Sequence, residues 1–100
     1  MRAIEDVLQE ITNLKGQDDK AAFEKFLEVA GIGRDSGSKE AHIMGLLNAA
    51  AIACKMGNYD LCMKMSTDAN AIDEEIWAEY LQEPHMYEML RTLSEAGLFN

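Results

Sequence analysis

The stretch that decides the fold is residues 41–56, AHIMGLLNAAAIACKM. Apolar residues occupy nearly every position, so a helix formed here is hydrophobic on almost all sides. A helix with a single apolar stripe can lie on a protein surface, whereas one that is apolar all round needs neighbours on several faces. The stretch is too short to span a membrane and contains His42, Asn48 and Lys55. It therefore predicts a buried central helix, at about residues 39–56.

Apolar residues also recur at helical spacing on both sides of this stretch. The first two helical segments precede residue 31, and three more follow residue 57, the last of them beginning at Pro84. Ser38, Asn58 and Asp73 stand where a side chain can cap a helix start. No segment shows the alternation of apolar and polar residues that is typical of a β-strand. We expect an all-α fold, a single domain over residues 1–100, with five to six short helices around the central one.

The segment before the central helix is rich in glycine. Residues 31–38, GIGRDSGS, predict that the second helix stops at Gly31 and that a flexible loop follows. Gly-x-Gly before a helix start suits an anion electrostatically, but a phosphate-binding loop follows a strand and this one follows a helix. Two interpretations remain, a connector or a contact element that acts through Arg34 and Asp35.

Residues 46–73 resemble one tetratricopeptide unit, a helix hairpin that normally stacks in arrays. The likeness lies in Gly57-Asn-Tyr-Asp at the turn and in the small residues Cys62 and Ala69. The pattern departs at Ser66, where the family has an aromatic residue, and at Glu74, where it has proline. No second copy occurs at the repeat period. Both an ordinary helix hairpin and a peptide-binding groove stay open.

Composition limits the classes of partner. The chain carries 18 acidic and 9 basic residues, a formal charge of −9. This balance disfavours direct binding to nucleic acid or to anionic membranes, since both require cationic side chains. The first residues lack the cationic and then apolar pattern of a signal peptide, so we expect a cytoplasmic protein. Cys54 and Cys62 are then expected to be free, buried thiols.

No pattern of residues indicates catalysis, a metal or a cofactor. Residues 68–79 partly resemble a calcium loop, but Ile72 and Asp73 replace the oxygen ligand and the glycine that such a loop needs. Glu83, His85 and Glu88 lack the further ligands that zinc requires. Neither histidine is placed by the sequence against a nucleophile. We expect a protein that is not an enzyme and binds no cofactor.

The strongest functional signal is a run of acidic residues. No Lys or Arg occurs between Lys64 and Arg91, whereas seven acidic residues do. Three of them are spaced four apart, so they form one ridge if the helix reaches that far. Like charges at this spacing repel and do not help folding. The predicted contact residues are Asp73, Glu74, Glu75, Glu79 and Glu83, with Asp18 and Asp19 as further candidates, and a merely solvated acidic face is the alternative.

The chain as a whole resembles the small phage-encoded anti-CRISPR proteins, in particular an all-helical type that acts on the type I-F surveillance complex. The segments that carry the resemblance are residues 1–10, MRAIEDVLQE, residues 33–38, GRDSGS, and residues 56–60, MGNYD, through 71–73, AID. The resemblance implies a protein that docks on the RNA-guided complex and prevents engagement of target DNA. The family has no shared catalytic signature, so it supplies no site residues.

A second hypothesis belongs to another class. A cytoplasmic adaptor would hold a partner helix or peptide in an apolar groove, and neutralising acidic residues would then have little effect. Either protein is expected to be a monomer or a weak homodimer.

Overall fold

Residues 2–97 are described by a computed structural model, and they form six helices and no strand. The helices are α1 (Ile4–Asn13), α2 (Asp19–Ser36), α3 (Lys39–Lys55), α4 (Tyr59–Ile72), α5 (Glu74–Leu81) and α6 (Pro84–Glu95). The all-α prediction is confirmed. The predicted domain also includes Met1 and residues 98–100, which lie outside the described residues. None of the six helices is long and apolar enough to cross a membrane.

Helix α3 is the central helix that residues 41–56 predict. It packs against α2, α4, α5 and α6. Its side chains Ile43, Leu47 and Ala50 are each 0% exposed. Burial of a side chain the size of leucine or isoleucine stabilises a fold by roughly 1.5–3 kcal/mol. Four helices contact α3. Surface residues of different helices are therefore brought together near one end of α3 or near the other.

The predicted helix stop at Gly31 and the flexible loop over residues 31–38 are wrong. Helix α2 continues to Ser36, and only Gly37 and Ser38 separate it from α3. The reason is packing between helices. A Cβ atom on Gly33 would lie 2.4 Å from the backbone nitrogen of His42, at the start of α3. Gly33 therefore permits the close approach of two backbones, and the turn is made by Gly37, whose φ is 79°.

Helix ends elsewhere follow the local signals. The Ser38 hydroxyl accepts a hydrogen bond from the Ala41 N–H at 3.2 Å, and the Asn58 side chain accepts one from the Leu61 N–H at 3.3 Å. Pro84 begins α6, as expected for a residue without a backbone N–H. The predicted caps at Ser38 and Asn58 and the predicted helix start at Pro84 are confirmed. Each could be predicted from the sequence because it depends on neighbours within one turn.

Helices α3 and α4 form the predicted hairpin. Three residues join them, Gly57 adopts a φ of 85°, and the two helices pack against each other. Cys62 and Ala69 are both 0% exposed. Ser66, which departs from the tetratricopeptide pattern, accepts a hydrogen bond from the indole N–H of Trp77 at 3.2 Å. This hydrogen bond therefore helps to hold α5 against α4.

Helix α1 packs mainly against α2, and ion pairs fasten it there. The Arg2 guanidinium donates hydrogen bonds to Glu10 at 2.8 Å and to Glu28 at 2.7 Å, and the Lys25 ammonium lies 2.8 Å from Glu10. The hydrogen bonds from Arg2 and then from Lys25 lower the pKa of Glu10 to about 2. Arg2 also lowers the pKa of Glu28. Exposed pairs contribute little singly, but these four residues form a network.

This network predicts acid sensitivity of α1. The pKa of Glu10 is lower in the folded protein than its ordinary value of 4.5, so its stabilisation is complete above about pH 4.5 and is lost as the pH falls towards 2. Hydrogen exchange of the α1 amides should therefore accelerate, relative to the α3 amides, between pH 5 and pH 3. A Glu10→Gln variant should show a smaller acceleration. Equal acid dependence of the two proteins would contradict this assignment.

A candidate protein-binding site

Helix α5 carries three of the predicted contact residues, Glu74, Glu75 and Glu79, and Asp73 fixes its start. The Asp73 carboxylate accepts hydrogen bonds from the backbone N–H groups of Glu75 and Ile76, both at 3.1 Å. It also lies 3.9 Å from the Lys39 ammonium. These contacts satisfy backbone donors that a helix start leaves free. Asp73 therefore has a structural role, whatever contact it makes with a partner.

We predict that Asp73→Ala lowers the free energy of unfolding by about 1 kcal/mol, the typical loss for a removed N-cap. Asp73→Asn should be nearly neutral, since asparagine caps as well as aspartate does. Urea denaturation of both variants measures the difference. A loss in Asp73→Asn as large as in Asp73→Ala would show that the Lys39 ion pair, rather than the cap, supplies the stabilisation.

The ridge predicted from Glu75, Glu79 and Glu83 is interrupted. Helix α5 ends at Leu81, and Glu83 has the extended backbone of the residue that precedes α6, with φ −65° and ψ 138°. The cause is Pro84, because proline disfavours the helical conformation in the residue before it. Glu83 does not extend the helix, but it lines a cleft together with Glu79.

We call this cleft, which is about 280 Å³ in volume, the acidic cleft. It is lined by Glu40, Ile76, Glu79, Tyr80 and Glu83. Helix α5 supplies the middle three, the α5–α6 junction supplies Glu83, and the first turn of α3 supplies Glu40. Packing of α3 against α5 brings these parts together. Three carboxylates thus surround one tyrosine and one isoleucine.

Charge in the acidic cleft is not balanced within the protein. Among residues 2–97, no ion pair joins Glu40, Glu79 or Glu83 to a basic group. Burial, and after it the carboxylates of Glu40 and Glu83, raise the pKa of the Tyr80 hydroxyl. The surroundings therefore oppose a further negative charge. By the same physics, the cleft favours a cation.

Glu40 is the residue of the acidic cleft that sequence reasoning missed. Its position in the first turn of α3 is explained by the positive end of the helix dipole, so nothing local indicates a second role. Ile76 and Tyr80 are half-buried, and they pack against the hydrophobic core as well as lining the acidic cleft. The packing of α3 against α5 places Glu40 beside Ile76 and Tyr80, and the sequence alone does not show that packing.

Glu74 and Glu75 lie in the first turn of α5, where both are exposed. Neither forms an ion pair with a residue of the described chain. Arg34 and Asp35 lie in the last turn of α2, with 3.2 Å between the Arg34 Nε and the Asp35 carboxylate. Since the adjacent Gly33 contacts the start of α3, both belong to the end of the molecule that holds Glu40.

Asp18 and Asp19 lie at the opposite end of α3. Asp18 caps α2 by accepting a hydrogen bond from the Ala21 N–H at 3.0 Å, and Asp19 lies 3.3 Å from the ammonium of Lys55, the last residue of α3. A helix of this length separates its ends by about 24 Å, at 1.5 Å per residue. The structure therefore does not bring these two carboxylates to the acidic cleft.

A second concavity of about 340 Å³, which we call the interhelical groove, lies between α2, α3 and α6. It is lined by Phe26, Asn48, Ala51, Ile52, Lys55, His85, Glu88, Met89 and Thr92. His85 and Glu88 thus belong to a groove, and residues 2–97 contain no group of three side chains arranged to hold a metal ion.

Cys54 and Cys62 are free and buried, and burial raises the pKa of Cys62 to about 12.

Comparison with known proteins gives no match to this chain, whether the comparison is with protein-family models, with curated proteins or with solved structures.

Proposed function

We propose that the protein is an anti-CRISPR inhibitor, which binds a type I-F RNA-guided surveillance complex in the cytoplasm of its host and prevents engagement of target DNA. The observation that carries the proposal is the acidic cleft, where Glu40, Glu79 and Glu83 converge without a cationic partner among residues 2–97. Arginine or lysine from another protein supplies that partner through charge-assisted hydrogen bonds.

The shape of the acidic cleft suits a long basic side chain. Such side chains place their methylene stem on an apolar surface and keep the charged head among polar groups. Ile76 and the Tyr80 ring provide the apolar surface, and the three carboxylates surround it. The face of a tyrosine ring also attracts a cation. A guanidinium is the better match, because its fork of N–H donors pairs with two carboxylate oxygens at once.

Residues around the acidic cleft extend this surface. Glu74 and Glu75 are exposed one turn from Glu79 and add negative charge. Tyr87, which is 57% exposed, follows Glu83 by four positions at the start of α6. Tyrosine is enriched among the residues that contribute most to protein interfaces. This exposed tyrosine, on the helix that follows Glu83, therefore offers an aromatic anchor to a partner.

The RNA-guided complex is proposed as partner for two reasons. Residues 1–10, 33–38 and 56–73 resemble those of a type I-F inhibitor. Such complexes also hold nucleic acid in channels lined by basic residues. An acidic protein seated on those residues removes the charges that attract DNA phosphates. Inhibition then requires no catalysis and no contact between this protein and nucleic acid.

The proposal is tested with the purified type I-F complex. Incubation with this protein should give a stable complex in size-exclusion chromatography and should abolish the gel shift of labelled target DNA. Affinity should fall steeply as salt rises, since the contacts are ionic. Co-elution that leaves DNA binding intact, or no co-elution at low salt, would overturn it.

A further inference from the structure

The interhelical groove has two matched walls. Helix α3 lines it with Asn48, Ala51, Ile52 and Lys55, and α6 lines it with His85, Glu88, Met89 and Thr92. In each helix these positions are i, i+3, i+4 and i+7, which form one face over two turns, about 10 Å of helix axis. The Cys54 thiol donates to the Met89 carbonyl at 3.9 Å, so the two helices are in contact beside the groove.

The polar residues of the groove leave one charge unpaired. Lys55 is neutralised by Asp19, whose carboxylate lies 3.3 Å away. Glu88 is exposed and forms no ion pair with any residue between 2 and 97. Ala51, Ile52 and Met89 supply an apolar floor. The occupant that complements these groups is apolar along its length and positive beside Glu88.

A bound peptide can be a β-strand, a polyproline helix or an amphipathic α-helix, and each needs a different kind of surface. Addition of a strand requires an exposed sheet edge, and residues 2–97 contain no strand. Recognition of a polyproline helix requires a groove lined by aromatic residues, and Phe26 is the single aromatic residue of this lining. An amphipathic helix requires an apolar groove between helices, about two turns long. The interhelical groove meets this last description.

We propose that the interhelical groove binds an amphipathic helix of a partner protein, with the apolar side chains of that helix on Ala51 and Ile52 and a lysine or arginine beside Glu88. No residue lines both this groove and the acidic cleft, although Glu83 and His85 bring the two within two positions of each other at the start of α6. Along α3 they diverge, since Glu40 and Ile52 are about 18 Å apart at 1.5 Å per residue. This contact does not depend on the proposed function, because that function rests on the acidic cleft, whose lining residues are different.

The test uses the full chain and synthetic peptides. The first peptide has fourteen residues, with leucine at i, i+3, i+4 and i+7 and lysine elsewhere, and the second has the same composition in an order without a stripe. Isothermal titration should show the striped peptide to bind about ten-fold more tightly or better, a difference of about 1.4 kcal/mol. Amide shifts in residues 48–55 and 85–92 should mark the site. Equal binding of both peptides, or shifts confined to residues 76–83, would overturn the proposal.

A charge reversal checks the role of Glu88. Glu88→Lys changes an exposed, unpaired residue and should leave the fold intact while weakening binding of the striped peptide about ten-fold. The matched control is Glu24→Lys, which reverses an equally exposed and unpaired charge on α2 outside the groove lining. The control should bind as the unmodified protein does. A similar loss in both variants would show that total charge, rather than the groove, attracts the peptide.

Discussion

Replacing Gly45 with alanine is expected to lower the free energy of unfolding by about 2–3 kcal/mol, although alanine is the better helix former. The added Cβ would lie 2.5 Å from the backbone nitrogen of Ala30 and 2.6 Å from the carbonyl oxygen of Phe26. Both are main-chain atoms of α2, so a rotation of side chains cannot relieve the clash. Helices α2 and α3 would have to separate. Chemical denaturation monitored by circular dichroism measures the loss.

Gly31→Ala is the matched control for this prediction. Gly31 lies within the same pair of helices, yet nothing stands within 4 Å of the position of an added Cβ. The substitution should therefore stabilise the protein by about 0.5–1 kcal/mol, because alanine loses less backbone freedom on folding than glycine. If Gly45→Ala were also neutral or stabilising, the close approach of α2 and α3 would not constrain this residue.

The contrast between these glycines explains which parts of the fold the sequence could predict. Caps at Ser38 and Asn58, and the helix start at Pro84, depend on neighbours within one turn, so the sequence was sufficient. Gly33 was interpreted as part of a loop because glycine at a helix end and glycine at a helix crossing look the same in one sequence. What distinguishes them is the distant backbone of His42.

The same limit applies to the candidate site. The stretch without Lys or Arg marked α5 as acidic, and that information is local. Glu40 was missed because α3 reaches α5 only through packing. Asp18 and Asp19 were grouped with α5 on charge alone, whereas they lie at the far end of α3 with Lys55. Composition therefore indicated an acidic surface, whereas the fold determines which acidic residues lie on it together.

Neutralising the acidic cleft is expected to remove binding to the surveillance complex. The triple variant Glu40→Gln, Glu79→Gln and Glu83→Gln keeps the side-chain shapes and removes three carboxylates that have no internal partner. Loss of electrostatic steering should slow association by about 10-fold to 1,000-fold at low salt. The free energy of unfolding should change by less than about 1 kcal/mol, because relief of repulsion between like charges offsets the lost interaction of Glu40 with the α3 dipole. Surface plasmon resonance at several salt concentrations measures both the rate and its salt dependence.

The control for this variant must change net charge equally without touching the acidic cleft. Glu5, Glu24 and Glu95 are exposed and form no ion pair within the described chain, so replacing all three with glutamine gives the same change of three charges. Because separated charges are screened beyond about 10 Å at 0.1 M salt, the control should bind almost as the unmodified protein does. The contribution of the acidic cleft is then the difference between the two triple variants. If both lost binding equally, the overall charge of −9 would be the attractive feature, and the assignment of Glu40, Glu79 and Glu83 to the interface would be wrong.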